Sequence, residues 1–369
     1  MPRSLQPDRK LFGVTLALCL IGAVMVFSAS AITAREQGGN GYTFLLRQLV
    51  WIALGLAGMF WLMHTDYRKF RQPRIIFTAV SITLVMLISV FFLDRSHATH
   101  RWFRLGPLSL QPSEIAKLVL IFYLAWFLEI RRAPKSFGVN DPVHSLLPML
   151  GTVLLMVGLV LAEPDMGTAC MILLIAATML FVSGLSMRYI VGSVLAAIPA
   201  VYLLIARTPY RLERFKAFLS PSTDPQGHGF QLLQSLIAIG SGGFTGVGLM
   251  EGRQKLFFLP EAHTDFIFSV ICEELGFIGA AIVLALFFVY GWRGFVAAMK
   301  APDEFGRLLA LGITAMVVGQ ALINLSVVLG LLPTKGIPLP FISYGGSSLI
   351  GMLLATGVLL NISQHADEM

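Results

Sequence analysis

Apolar runs long enough to cross a bilayer recur along the whole chain, near 11–32, 45–63, 75–93, 114–130, 145–162, 167–185, 188–206, 266–292, 305–331 and 346–362. In hydrocarbon every backbone N–H and C=O needs a partner from the chain itself, which leaves only helices and closed barrels. The runs are continuous and do not alternate, so a barrel is excluded. With 56% hydrophobic and 13% charged residues and a mean hydropathy of +0.78, the chain lacks the charge to cover a soluble globule of this length. The expected fold is all-α: a polytopic membrane helix bundle of about ten transmembrane helices, forming one integral membrane domain over residues 1–369.

The short loops orient the bundle. Arg3, Arg9 and Lys10 precede the first run, and Arg68, Lys69, Arg71 and Arg74 follow the second. Arg131, Arg132 and Lys135 follow the fourth, Arg188 the sixth, and Arg293, Lys300 and Arg307 the eighth. With ten spans all of these fall on one side, which the positive-inside rule makes cytoplasmic, along with both termini. Ala29-Ser30-Ala31 resembles a signal-peptidase site, but its apolar stretch is too long for a signal sequence, so a retained helix is expected. The net charge of +7 is that of a membrane protein with basic inner loops; no Lys/Arg run is long enough for nucleic acid. Cys19, Cys170 and Cys272 lie in separate apolar runs and suggest neither a disulfide nor a zinc site.

Two basic segments fall outside, against this bias. One is Asp94–Gln111, with Arg95, Arg101 and Arg104. The other is a long extracytoplasmic loop between the seventh and eighth spans, about 207–264, with Arg207, Arg211, Arg214, Lys216, Arg253 and Lys255. Loops of such length are usually functional, and cations held outside suggest an anionic ligand.

Several constellations carry polar chemistry, each with a plainer alternative. Glu114 and Lys117 share a helix face at the start of the fourth run; they either cap that helix as an ion pair or line a polar pocket. In Glu163-Pro164-Asp165, Asp165 is either a helix cap or a ligand. The glycine-rich segment 240–248 is either a phosphate-approaching backbone or a turn. In Glu261-Ala262-His263-Thr264-Asp265, either Thr264 or Asp265 caps the eighth span, or Asp265 stands at the outer surface as a carboxylate whose desolvation suits a general base. Glu273 and Glu274 need helix packing or a cavity, and Gln320 and Asn324 read as interhelical hydrogen-bonders. Pro333, Pro338 and Pro340 followed by Tyr344-Gly345-Gly346 require irregular backbone around a cavity.

Taken in order, these segments resemble one family from end to end: Val24–Ser30, Arg101-Trp102-Phe103, Gln111-Pro112-Ser113-Glu114-Ile115-Ala116-Lys117, Glu163–Thr168, Gln234–Gly243, Leu259–Phe266 and Pro338–Ser347. They are similar to the signature motifs of the shape, elongation, division and sporulation family, the RodA/FtsW group. Glu261-Ala262 before His263 and Pro333-Thr334-Lys335 before Gly336 look more like the division member than the elongation member.

The resemblance implies a peptidoglycan glycosyltransferase of the bacterial cytoplasmic membrane, with its active site facing outward. It would polymerise the disaccharides of lipid II in cell division or elongation, alongside a class B penicillin-binding protein. The family's catalytic aspartate falls on Asp265. Undecaprenyl pyrophosphate would leave the anomeric carbon as a sugar 4-hydroxyl attacks, which calls for one base and for cations around the departing charge. Asp265 takes the first role by this resemblance. Arg101, Arg211, Arg214, Lys117 and Lys335, with Glu114 and Ser343, are the expected substrate-binding residues. No resident cofactor is implied with certainty, and a divalent cation, Mg or Mn, stays open as a helper. The alternative reading is a flippase for the same lipid-linked precursor.

Overall fold

The computed structural model describes residues 6–36, 40–93, 101–105, 108–133, 137–220, 227, 229–256 and 258–365. Each apolar run forms a helix. They are α1 (Arg9–Glu36), α2 (Thr43–Met63), α3 (Pro73–Leu93), α4 (Pro112–Arg132), α5 (Leu147–Ala162), α6 (Met166–Val182) and α7 (Met187–Ala206). After two helices outside those runs, α8 (Pro209–Leu219) and α9 (Phe230–Gly242), come α10 (Ile267–Met299), α11 (Glu304–Val328) and α12 (Gly346–His365). Among the described residues, seven helical segments are long and apolar enough to cross a membrane; α4 carries too many charges to count, and α6 has only 17 residues.

Three features depart from the sequence reading. The stretch 207–264 is not one irregular loop, because α8 and α9 occupy much of it; proline in the first turn of α8 fits its fixed φ. Among the described residues the bundle also carries a hairpin, β1 (Phe103–Leu105) with β2 (Leu108–Leu110), in the register Phe103 to Leu110. Of the segment between α3 and α4, residues 94–100 with Arg95, and residues 106–107, lie outside the described residues. Finally, the eighth run is longer than expected and is broken: Gly276 sits at φ 63° and ψ −161° inside α10, a conformation that disfavours any side chain.

The break is repaired by the glycine-rich segment. Across it, Glu273 O accepts from Val247 N at 3.0 Å and Glu274 O from Gly248 N at 3.1 Å. In return Phe277 N donates to Gly243 O at 3.0 Å and Ile278 N to Phe244 O at 3.3 Å. The four groups freed by the kink are thus all satisfied, as irregular backbone inside a bundle requires. A Cβ on Gly246 would lie 2.1 Å from Glu274 O, so the glycines serve close backbone packing here and not phosphate binding.

The core runs through α4, α11 and α12, whose buried faces include Leu120, Leu124, Ile313, Val317, Leu353 and Leu359. α12 lies so close to α2 that a Cβ on Gly357 would meet Met59 O at 2.6 Å. In contrast, no described residue of α7 is buried. One end of the bundle gathers the starts of α1 and α11 and the ends of α4, α10 and α12, and ion pairs tie it: Arg293 to Asp8, Arg68 to Asp303, Arg71 to Glu129 and Arg132 to Glu304. The opposite end holds the cavity.

Candidate active site

The cavity, about 570 Å³, opens among the start of α4, the cap of α6, the approach to α10 and the irregular segment before α12. Pro112 starts α4 and places Glu114 and Lys117 one turn apart on its inner face. Lys117 Nζ donates to Glu114 Oε1 at 2.9 Å and to Gln320 Oε1 of α11 at 2.6 Å. Gln320 passes the contact on, donating from Nε2 to Pro338 O at 2.9 Å. Asp165 caps α6 by accepting from Thr168 N, and its other oxygen accepts from Thr168 Oγ1 at 2.7 Å and Gln111 Nε2 at 2.9 Å.

Asp265 stands where two irregular segments are sewn together. Asn324 Nδ2 donates to Asp265 O and to Ile337 O, both at 2.7 Å. Ser343 Oγ donates to Thr264 O and accepts from Leu339 N, while Tyr344 N donates to His263 O at 3.0 Å. Gly336 has no side chain to shield the carboxylate; a Cβ there would lie 2.9 Å from Asp265 Oδ2. Among the described residues no hydrogen bond reaches the Asp265 carboxylate itself, which faces the cavity. Burial, then the charges of Glu261 and Asp165, push its pKa up to about 7, against a lowering by Arg214. His263 is pushed down by burial, with Glu261 opposing.

The predicted site residues therefore separate. Asp265, Glu114, Lys117 and Arg101 line one cavity. Arg101 also clamps the 5–6 turn, donating from Nε to Glu163 O at 2.8 Å and from Nη2 to Pro164 O. The Glu163 side chain is fully buried without a hydrogen bond among the described residues, and burial first, then Asp165, push its pKa up to about 8. Arg211, Arg214, Lys335 and Ser343 are not among the lining residues. Arg214 donates to Thr334 O at 3.3 Å, Lys335 Nζ lies 3.9 Å from Cys170 Sγ, and Ser343 is buried in the seam just described.

Among the lining groups, Arg47 and Trp51 on α2 escaped the sequence reading, while Trp102 and Tyr344 stood in motifs without being named as site residues. Arg47 carried a usable signal, because a cation inside an apolar run normally faces a cavity. No group of three or more His, Cys, Asp or Glu side chains among the described residues is arranged to hold a metal. A divalent ion here would take most of its shell from substrate oxygens and water.

A helix bundle of membrane-spanning apolarity, with a polar cavity at one end that pairs a buried Lys–Glu contact with an uncommitted carboxylate, defines a polytopic membrane protein with a polar site at one end of the bundle. The chain belongs to the FtsW, RodA and SpoVE family of cell cycle proteins, whose family model matches residues 9–368. It is 44% identical to a probable peptidoglycan glycosyltransferase FtsW of Trichlorobacter lovleyi, over 96% of this chain and 93% of the relative. It is 40% identical to the stage V sporulation protein E of Bacillus subtilis, over 98% of each. Among solved structures it resembles a chain of a peptidoglycan synthase complex, with 32% identity, TM-score 0.79, and 98% and 99% of the two chains covered. It also resembles the rod shape determining protein RodA of Thermus thermophilus, with 30% identity, TM-score 0.72 and 99% of each chain covered.

Proposed function

We propose that this chain is a peptidoglycan glycosyltransferase that polymerises lipid II, the undecaprenyl-pyrophosphate-linked disaccharide, at the outer face of the cytoplasmic membrane. Both termini are inside, and ten helices cross. The observation that carries this reading is the Asp265 carboxylate, held at the cavity by its backbone while its own oxygens stay uncommitted. A pKa near 7 suits a base that must be ionised yet still take a proton.

In the reaction a sugar 4-hydroxyl gives its proton to Asp265 as its oxygen bonds to the anomeric carbon of the second substrate. The bond from that carbon to the pyrophosphate oxygen breaks, and its electron pair leaves with undecaprenyl pyrophosphate. No dedicated acid is needed for so good a leaving group. Arg101, Arg47 and Lys117 supply positive charge at the cavity wall, and Arg214 adds to it from α8. A divalent cation would assist by binding pyrophosphate oxygens. Aromatic Trp51 and Trp102 offer faces for sugar rings.

The relatives named as peptidoglycan glycosyltransferases support the reaction, and the likeness to a chain of a peptidoglycan synthase complex supports a class B penicillin-binding protein as partner. Ion pairing across the far end of the bundle favours a one-sided enzyme over a flippase, which would have to open that end. The test is conversion of lipid II to glycan polymer by the purified protein with its partner; activity in the wild type and its loss in Asp265→Asn are expected.

A further inference from the structure

A second buried charge cluster lies apart from the cavity, where the segment after α9 crosses the break in α10. Lys255 was expected to be one of the outer cations facing an anionic ligand. Its ammonium is instead buried, donating to Glu274 Oε1 at 2.6 Å and to Ser28 Oγ of α1 at 2.9 Å. Ser28 Oγ lies 2.7 Å from both Glu274 oxygens, and Glu274 Oε2 also accepts from Met250 N at 3.0 Å. Next to it Glu273 Oε1 accepts from Arg253 N at 2.7 Å and from Gln254 N at 3.2 Å. Ser28, Lys255, Glu273 and Glu274 are all buried.

These contacts close a loop. Gln254 and Glu273 are 19 positions apart in sequence and joined by a hydrogen bond, and Asp265 lies between them. The segment is folded back on itself by Leu259 N to Gln254 O at 2.8 Å and Phe266 N to Glu261 O at 3.2 Å. Buried apolar contacts alone would tolerate sliding, whereas directional bonds to charged groups fix one register. A buried ion pair costs desolvation and is weak evidence for stability, so a constraint on geometry is its better explanation.

We propose that Lys255, Glu274 and Ser28, with Glu273, form a positioning device that anchors the Asp265 loop to α1 and α10 and so sets where the base meets the acceptor hydroxyl. The proposal rests on Asp265 as the base. The four residues do not touch the cavity; they act through the loop.

The variant Lys255→Met/Glu274→Gln removes both charges together, keeps similar volume and keeps an acceptor for Met250 N. Polymerisation of lipid II by the full chain with its partner is measured per folded protein across pH 5–9. The expected result is a folded protein with kcat reduced at least about tenfold and KM for lipid II changed less than about threefold. The acid limb of the pH profile moves to lower pH, because a loosened loop admits water to Asp265. The charges acting on that carboxylate are Glu261 on its own loop, Asp165 at the 5–6 turn and Arg214 on α8, while Arg101, Glu114 and Lys117 on α4, and Arg47 on α2 line the same cavity. Should the double variant not fold, Ser28→Ala carries the same test, with the same directions and a smaller drop of about threefold. A folded variant with wild-type kcat and an unmoved acid limb overturns the proposal, as does a loss that merely tracks the folded fraction. Wild-type polymerisation by Asp265→Asn would instead overturn the base assignment.

Discussion

Lys117 donates from Nζ to Glu114 Oε1 over 2.9 Å, and both side chains are buried at the cavity wall. Such a pair adds little net stability when intact, because desolvation offsets its attraction, and costs much when halved, because removal of one partner strands the other charge. Glu114→Ala and Lys117→Ala are each expected to lower the unfolding free energy by about 3–5 kcal/mol and to reduce polymerisation well over tenfold. Thermal unfolding in detergent and a lipid II polymerisation assay read both. Normal activity in both variants would reduce the pair to a helix-end decoration.

The pH dependence follows from Asp265, whose pKa is pushed up to about 7. A base works only ionised, so kcat/KM is expected to rise about tenfold per pH unit below 7 and to level off above it. The acid limb should vanish in Asp265→Asn. A flat profile between pH 5.5 and 8 would show that some other step controls the rate.

Glu163 gives a stability prediction of defined sign. Its pKa is raised from 4.5 to about 8, so the folded chain holds this proton more tightly than the unfolded one. Stability from this group is full below pH 4.5 and is lost as pH rises through 8. Glu163→Gln, which cannot ionise, is expected to raise stability at pH 8.5 by about 1 kcal/mol or more and to leave it nearly unchanged at pH 4. Unfolding midpoints at the two pH values decide it; an equal effect at both would contradict the assignment.

Much of the bundle was legible because its signals are local. Each apolar run names its own helix, and Gln111-Pro112 and Asp165 mark helix starts by composition. What was not legible depends on contacts distant in sequence. Nothing near Gly276 announces that α10 breaks there, since the cause is the backbone of residues 243–248, which donates to two of the freed carbonyls and accepts from two of the freed amides. Lys255 looked like a surface cation until Glu274 and Ser28 enclosed it. In the cavity, Asp265, Glu114 and Lys117 were found as motif residues, whereas Arg47 and Trp51 reach it only because α2 packs against α12.

The inside placement of the 2–3 connection and of the turn before α11 is open to direct test. Cysteines placed at Lys69 and Lys300, both exposed, are expected to resist a membrane-impermeant thiol reagent in intact cells and to react once the membrane is opened. Labelling of position 300 from outside would contradict the ten-span arrangement.

The central claim is that Asp265 takes the acceptor proton, and one measurement bears on it most directly: the rate of lipid II polymerisation by purified Asp265→Asn with its partner. The substitution keeps size and hydrogen-bonding capacity but cannot accept a proton near neutral pH. General-base catalysis contributes roughly a hundredfold to ten-thousandfold. The variant should fold, bind its partner and polymerise at least about a hundredfold more slowly, with no rescue by added divalent cation; partial rescue would move Asp265 from base to metal ligand. Wild-type polymerisation by the folded variant would contradict the account and return the cavity to the transport of lipid II.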